Sequence, residues 1–229
     1  MKIISHRGGA KLAPENSLEA IKVSRSLGAD AAEIDIRLTS DQVLVVFHDK
    51  SLNRLAGINK RLSSYSYDEL SKIKLKSGVY IPSLADLIKV AGDLPLVIEG
   101  KGVGWAEHLA KQLVKYPYIK SLRVISFNKS EIAKFKKLRP DINCLIIGFF
   151  NGFKLINFAV ENNLDGIDMH FLGFNGFVYR SAKKKNLRVV LYTANSVFTV
   201  KILLFLFPAV DITTDRPEKL LKLIKRIEE

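Results

Sequence analysis

With a single cysteine in 229 residues, the chain can form no intramolecular disulfide, and it contains no zinc-finger spacing. That cysteine, Cys144, sits in the apolar run CLIIG and reads as a buried, inert thiol. No apolar run reaches the ~18 residues needed to span a bilayer. Met1-Lys2 leads directly into a strand-like run, without the apolar core or cleavage site of a secretory signal, so the cytoplasm is the default location. Acidic residues are also in short supply: 23 Asp and Glu stand against 36 Lys and Arg, a formal charge of +13. Such an excess suits nucleic acid, anionic lipid or a phosphate-bearing substrate. The basic residues are scattered along helix-like segments (Lys134, Lys136, Lys137, Arg139), and Lys183-Lys184-Lys185 is the one tight cluster. No aromatic–basic interleaving or RNA-binding signature accompanies them. They read as solvated helix faces, and no nucleic-acid partner is expected.

What is present is a repeating pattern. Short apolar strands over 2–5, 32–36, 94–99, 123–127, 143–148, 165–169, 188–193 and 210–214 alternate with amphipathic stretches such as SLEAIKVSRSLG, WAEHLAKQLVK and PEKLLKLIKRI. Each strand is too hydrophobic to keep one wet face, so it belongs in a parallel sheet covered by helices. Eight such units in this length predict an α/β fold, a (β/α)8 TIM barrel spanning residues 1–229 as a single domain. One strand, 43–48 (VLVVFH), follows the second through a link too short for a helical crossover. It predicts the return arm of an extra hairpin, followed by a short insertion over about 49–82. The hairpin brings His48-Asp49 back to the top of strand two.

Active sites of such barrels lie at the C-terminal ends of the strands. Strand one ends in His6-Arg7. Strand two carries Glu33 and Asp35, two apart and therefore on one face, and strand three ends in Glu99 with Lys101 two residues on. Three carboxylates aimed into one space repel each other and call for a hard cation, Mg²⁺ or Ca²⁺. Arg7 and Lys101 beside them call for an anion, and phosphate suits both. His6 and His48 are then a general acid and a general base. Taken singly, each residue has a plainer reading. A strand-end histidine can be structural, E-x-D can line an edge strand, Asp49 can cap a turn, Lys101 can lie at the surface, and Asn16 with Glu19 can form a helix-capping box. Those readings are independent of one another, whereas a site requires all of these groups at the strand ends together.

HRG followed by PENS, then EIDIRLTSDQVLVVFHD, then EGK, resembles the glycerophosphodiester phosphodiesterase family. Its pattern continues with an arginine after HD (here Arg54), I-P-x-L (Ile81-Pro82-Ser83-Leu84), a late W-T-x-N (Tyr192-Thr193-Ala194-Asn195) and a closing T-D-x-P (Thr214-Asp215-Arg216-Pro217). The resemblance implies a (β/α)8 barrel that hydrolyses glycerophosphodiesters to glycerol 3-phosphate and an alcohol, with one divalent metal ion. It implies Glu33, Asp35 and Glu99 as metal ligands, His6 and His48 as the acid–base pair, and Arg7 and Lys101 on the phosphate. Glu15 and Asn16 would support the site, in contact with glycerol or the metal. Tyr192 would supply an aromatic wall where Trp is commoner. Ser17 stands for the usual Thr and Gln42 for the usual Gly. The short excursion at 49–82 indicates a compact form without a large lid. Phosphoinositide-specific phospholipase C and sphingomyelinase D share a two-histidine barrel site but not this motif set. A barrel that only binds phosphodiesters would have lost a histidine or a carboxylate, and none is missing.

Two further stretches bear on substrate and partners. The loops after strands five and six hold Phe149, Phe150, Phe153, Phe171, Phe174 and Phe177, six of thirteen phenylalanines, on the expected rim of the site. They form either an apolar wall that accepts acyl chains, giving lysophospholipase D-type activity or peripheral contact with a membrane, or a layer packed beneath the loops or against a second subunit. The segment VFTVKILLFLFPAV is apolar nearly all round, interrupted by Lys201 and Thr199. A helix of that kind is covered on more than one side, which predicts a homodimer through it. His6-Arg7 thus reads as proton carrier and phosphate clamp, and Gly8-Gly9 as room for substrate beside the backbone.

Overall fold

The computed structural model describes residues 1–117 and 121–228, with side chains through residue 224. Nine strands form one sheet: β1 (Ile3–Ser5), β2 (Ala31–Leu38), β3 (Leu44–Val46), β4 (Leu96–Gly100), β5 (Leu122–Ser126), β6 (Asn143–Gly148), β7 (Gly166–His170), β8 (Arg188–Tyr192) and β9 (Asp211–Thr214). Their order is β1-β9-β8-β7-β6-β5-β4-β2-β3, and β1 also pairs with β2, which closes the sheet. Every pairing is parallel except that of β2 with β3. The chain therefore forms the expected (β/α)8 barrel with one additional strand, and no expected strand end is displaced by more than two residues. The helices are α1 (Leu18–Ser26), α2 (Asn53–Ala56), α3 (Tyr67–Ser71), α4 (Leu84–Ala91), α5 (Trp105–Leu113), α6 (Lys129–Leu138), α7 (Gly152–Glu161), α8 (Gly176–Lys184), α9 (Val197–Leu206) and α10 (Pro217–Glu228).

The two-residue period of a strand sorts its side chains between two cores. Ala32, Ile34 and Ile36 of β2 join Ile98, Val124, Ile146, Ile167, Leu191 and Ile212 in the layer between strands and helices. The alternate residues face the barrel interior, where Ile4, Ala31, Val97, Ile125, Leu145, Ile147 and Val190 pack together. Glu33 and Asp35 continue that inner row beyond Ala31. The register then sets the site, because Glu33 lies opposite Val97 and Asp35 opposite Glu99.

β3 is antiparallel to β2 through Ile36–Val46 and Leu38–Leu44, as expected of a hairpin. Gln42 closes the turn at φ +63°, the left-handed conformation that makes Gly the commoner choice there. The amide of Phe47 donates to the carbonyl of Asp35 at 2.9 Å, which fixes the following His48 beside the strand end. The excursion after it has its own small core of Val45, Phe47, Leu52, Leu62, Leu70, Leu75 and Ile81.

Two local readings differ from expectation. The cap of α1 is Ser17, whose hydroxyl accepts from the amide of Ala20 at 3.0 Å, and not Asn16. Asn16 sits at φ +58° with its side chain turned into the barrel. Gly8 and Gly9 do not clear space for substrate. Gly8 has φ +74° and a Cβ there would lie 2.8 Å from Ala20 Cβ, so it lets α1 approach the strand end. Within this chain α9 is covered on one side, where Val200 and Leu203 are buried, and Phe198 (73%) and Phe205 (86%) are exposed on the other.

The glycine of the E-G-K motif has a packing reason. A Cβ on Gly100 would lie 2.1 Å from the indole of Trp105, which is fully buried at the start of α5. Gly100→Ala is expected to cost at least the ~1–3 kcal/mol typical of overpacking. Urea denaturation followed by the fluorescence of Trp105, the chain's one tryptophan, measures this. An unchanged midpoint would contradict the packing account.

Candidate active site

The end of β2 gathers charge in a space where little water reaches. Ligand oxygens of Glu33, Asp35 and Glu99 lie within 4.8 Å of one another, and all three residues are buried. Burial raises the Glu33 and Glu99 carboxyls well above the ordinary range, and the neighbouring Asp35 charge pushes both further up. Burial would raise Asp35 too, but Lys101, His48, Arg7 and a hydrogen bond from Asn16 hold it below its usual value. Glu33 Oε1 is buried without a partner, and Asp35 Oδ1 and Glu99 Oε1 face only the Lys101 ammonium. The Lys101 ammonium lies 3.1 Å from Asp35 Oδ1 and 2.5 Å from Glu99 Oε1. Three buried carboxylates converging on one point, with a single ammonium among them, fit a hard divalent cation.

Both candidate histidines are held from behind by aspartates. His6 Nδ1 lies 2.6 Å from Asp215 Oδ1, and His48 Nδ1 lies 2.7 Å from Asp49 Oδ1. Asp49 is lowered to about 2, its burial being outweighed by hydrogen bonds from Arg54 and His48. Asp215 is likewise lowered, its burial outweighed by His6 and Asn195. An ionised carboxylate only accepts, so each Nδ1 carries the proton and each Nε2 is the exchanging atom. His6 Nε2 faces the carboxylates, 3.9 Å from Glu33 Oε2. The two rings differ. Burial lowers His48 and prevails over Asp35 and Asp49, whereas for His6 burial is outweighed by Asp215 and Glu33, which raise it.

Arg7 occupies the left-handed region at φ +49°, an uncommon conformation for a non-glycine residue. Its amide thereby donates to Glu33 Oε2 at 2.8 Å, and its guanidinium donates to Glu15 Oε1 at 2.9 Å. Glu15 accepts in turn from Arg54 at 2.8 and 2.6 Å, and Arg54 donates to Asp49 at 2.6 and 3.1 Å. The result is one chain of charges from His48 through Asp49, Arg54 and Glu15 to Arg7. Asn16 commits both ends to Asp35, donating from Nδ2 at 2.8 Å and accepting the Asp35 amide at 3.0 Å. Glu15 and Asn16 therefore touch protein groups that hold the site in place.

His6, Arg7, Glu33, His48, Glu99, Lys101 and Tyr192 line one cavity of about 210 Å³. A larger hollow of about 390 Å³ lies at the opposite, N-terminal ends of the strands, beside Lys2, Arg123 and Arg188. One wall of the smaller cavity is aromatic. Tyr192 meets Phe127 and Phe149 edge-on at 6.2 and 6.1 Å, and Phe149 stacks on His170 at 4.4 Å. Of the rim phenylalanines, Phe149, Phe150, Phe153 and Phe177 are exposed, whereas Phe174 is buried against Tyr179 and Phe207.

Sequence reasoning gave no role to several groups. Asp215 and Asn195 come from the two late motifs: Asn195 donates to Asp215 Oδ2 at 2.8 Å and accepts the Asp215 amide at 2.8 Å, so the pair orients His6. Asp168 forms part of the cavity floor, with Oδ1 unpartnered. Burial and Asp211 push it up to about 7 against the pull of Arg123. A carboxylate inside the apolar strand GIDMH is the same signal that singled out Glu33 and Asp35.

A pH dependence follows. Glu33 and Glu99 stand at about 8, above the ordinary value of 4.5. Between those values the folded chain keeps protons that the unfolded chain has released, so rising pH favours unfolding. With a chelator present, the melting temperature is expected to fall as pH rises from 5 to 8, and the Glu33→Gln/Glu99→Gln double variant is expected to reduce that fall, leaving the smaller part due to Asp168 and His6. Scanning calorimetry measures both, and a flat wild-type profile would contradict the shifts.

Comparison with known proteins agrees with this arrangement. The glycerophosphodiester phosphodiesterase of Caldanaerobacter subterraneus subsp. tengcongensis is 26% identical over 242 residues, covering 98% of each chain. The crystal structure of a glycerophosphodiester phosphodiesterase from Parabacteroides distasonis superposes with a TM-score of 0.85 at 27% identity, covering 100% of this chain and 98% of that one. A phosphodiesterase of Oleispira antarctica, solved in complex with its product sn-glycerol-3-phosphate, shares the fold with a TM-score of 0.90 at 23% identity, covering 98% and 97%. Residues 6–219 match the family model described as the glycerophosphoryl diester phosphodiesterase family, and the chain belongs to that family.

Proposed function

We propose that the chain hydrolyses glycerophosphodiesters to glycerol 3-phosphate and an alcohol, dependent on one divalent metal ion and two histidines. The observation that carries this reading is the meeting, at one 210 Å³ cavity, of three clustered buried carboxylates and two aspartate-backed histidines. Charge counting supports it. Glu33, Asp35 and Glu99, when ionised, exceed Arg7 and Lys101 by one negative charge. A divalent cation together with a phosphodiester monoanion closes that balance. Glu33, Asp35 and Glu99 would hold the ion, Mg²⁺ or Ca²⁺, which when bound supplies Lewis-acid stabilisation of charge on the phosphoryl group.

The remaining roles fall to the chain's own groups. Arg7, fixed on Glu15, and Lys101 hold non-bridging phosphate oxygens. One histidine takes the proton of the nucleophile at Nε2 as the new P–O bond forms, and the other donates its Nε2 proton to the departing alkoxide as the old bond breaks. The nucleophile is water or the neighbouring glycerol hydroxyl, the latter giving a cyclic phosphate that water then opens. Tyr192 walls the cavity in which the substrate would sit. The reaction belongs to lipid and glycerol metabolism, with the cytoplasm as its compartment in this reading. A barrel that only binds phosphodiesters would have no use for two aspartate-backed histidines.

The exposed phenylalanines favour a second substrate class, lysophospholipids, cleaved to lysophosphatidic acid and the free head group alcohol. The cavity falls below the ~300–1,000 Å³ usual for drug-sized ligands. It therefore suits a glycerophosphate unit, with an acyl chain lying outside along Phe149 and Phe150.

Glycerol 3-phosphate release from glycerophosphocholine tests the main reading. His6→Ala and His48→Ala are each expected to lower kcat by ~10²–10⁴, and a chelator is expected to abolish turnover until Mg²⁺ or Ca²⁺ is restored. Full activity in the chelator, or in both histidine variants, would overturn it. Choline release from lysophosphatidylcholine at a comparable rate is the outcome expected of the second reading, and its absence beside rapid turnover of glycerophosphocholine would remove it.

A further inference from the structure

The chemistry leaves one large feature unused. Helices run back against their strands, so the N-termini of α7, α8 and α9 stand at the same end of the barrel as the site. Each presents a phenylalanine at its second residue, Phe153, Phe177 and Phe198, and all three are exposed. Phe149, Phe150 and Leu172 add to this rim from the adjoining loops, and Phe205 and Leu206 extend it along α9. At 63% for Phe150, 73% for Leu172 and 69% for Phe177, these side chains are far more open than scattered surface hydrophobics require. Phe149 joins the rim to the aromatic wall of the cavity.

Charge selects what covers this surface. The stretches 149–160, 170–180 and 194–206, which supply the rim, contain no aspartate or glutamate but include Lys154, Arg180 and Lys201, all exposed. The Arg180 guanidinium lies 5.2 Å from the centre of the Phe177 ring, cation beside aromatic. In a two-fold dimer built on this patch, each copy would meet the same cations on the other, with no carboxylate from these stretches to offset them. An anionic lipid surface offers the opposite charge over the whole patch, together with an apolar layer for the phenylalanines.

We propose that this rim is a docking surface for anionic phospholipid membranes, seating the open end of the barrel against the head groups. The surface is independent of the hydrolytic reading, since a barrel without activity would still carry it. Co-sedimentation of the full chain with phosphatidylglycerol–phosphatidylcholine vesicles, at about 0.15 M salt, tests the proposal. The wild type is expected to bind these vesicles at least tenfold more tightly than pure phosphatidylcholine. Phe153→Ser/Phe177→Ser/Phe198→Ser and, separately, Lys154→Glu/Arg180→Glu/Lys201→Glu are each expected to weaken binding at least tenfold. Circular dichroism melting checks that the variants remain folded, and their turnover of glycerophosphocholine in solution is expected to stay at the wild-type level. Failure of the wild type to bind anionic vesicles, or equal binding by both folded variants, would overturn the proposal. So would a wild-type dimer in sedimentation velocity that the phenylalanine substitutions dissociate, which would assign the rim to a second copy of the chain.

Discussion

Three carboxylates brought within 4.8 Å of one another in a buried space are the constraint around which this barrel is organised. Their mutual repulsion is strong where water is excluded, and nothing in the interior core of Ile4, Val97, Ile125 and Val190 relieves it. The fold accepts this because the register of β2 against β4 leaves no alternative: once Ala31 and Val97 point inward, Glu33, Asp35 and Glu99 must do so as well. Arg7, Lys101 and Asn16 limit the cost, and each is placed by a backbone feature. Arg7 depends on a left-handed turn, Lys101 on the end of β4, and Asn16 on a second left-handed residue ahead of α1.

The supports of the site are longer-range than the site itself. Asp215 lies 209 residues from His6 in sequence and reaches it because β9 pairs with β1 across the closing seam of the barrel. His48 gets its aspartate from the next residue, and Arg54 and Glu15 tie that aspartate to Arg7. The two candidate histidines thus have unlike surroundings. One is bound into the barrel's closure, whereas the other belongs to the hairpin and the small core of the excursion. The glycerophosphoryl diester phosphodiesterase motifs map onto this division: T-D-x-P and the late T-x-N serve His6, while HD and the following arginine serve His48.

Most of the architecture was readable because the barrel strands are short, predominantly apolar runs and the repeat is regular. The hairpin was readable because six residues cannot carry a parallel crossover. Residues at strand ends were found by the same rule, and all of them line or support one cavity. Features set by three-dimensional closeness were not readable. Gly8 was read as clearance for substrate, when its neighbour is Ala20 of α1. Asn16 is a good cap by type, yet Ser17 takes that role and Asn16 turns to Asp35. Asp215 and Asp168 carried the right chemistry in the sequence, but only the barrel's closure shows what they face. The apolar character of α9 was plain, whereas the exposure of its outer side needed the fold.

If the carboxylate cluster is what the rest of the site serves, it should bind a divalent cation of its own accord. Isothermal titration of the chelator-treated protein with Mg²⁺ and Ca²⁺, alongside Asp35→Asn and Glu99→Gln, measures this most directly. The account predicts one ion per chain for the wild type and at least a tenfold loss of affinity in each variant with the fold retained. No binding by the wild type, or binding unchanged in both variants, would contradict it.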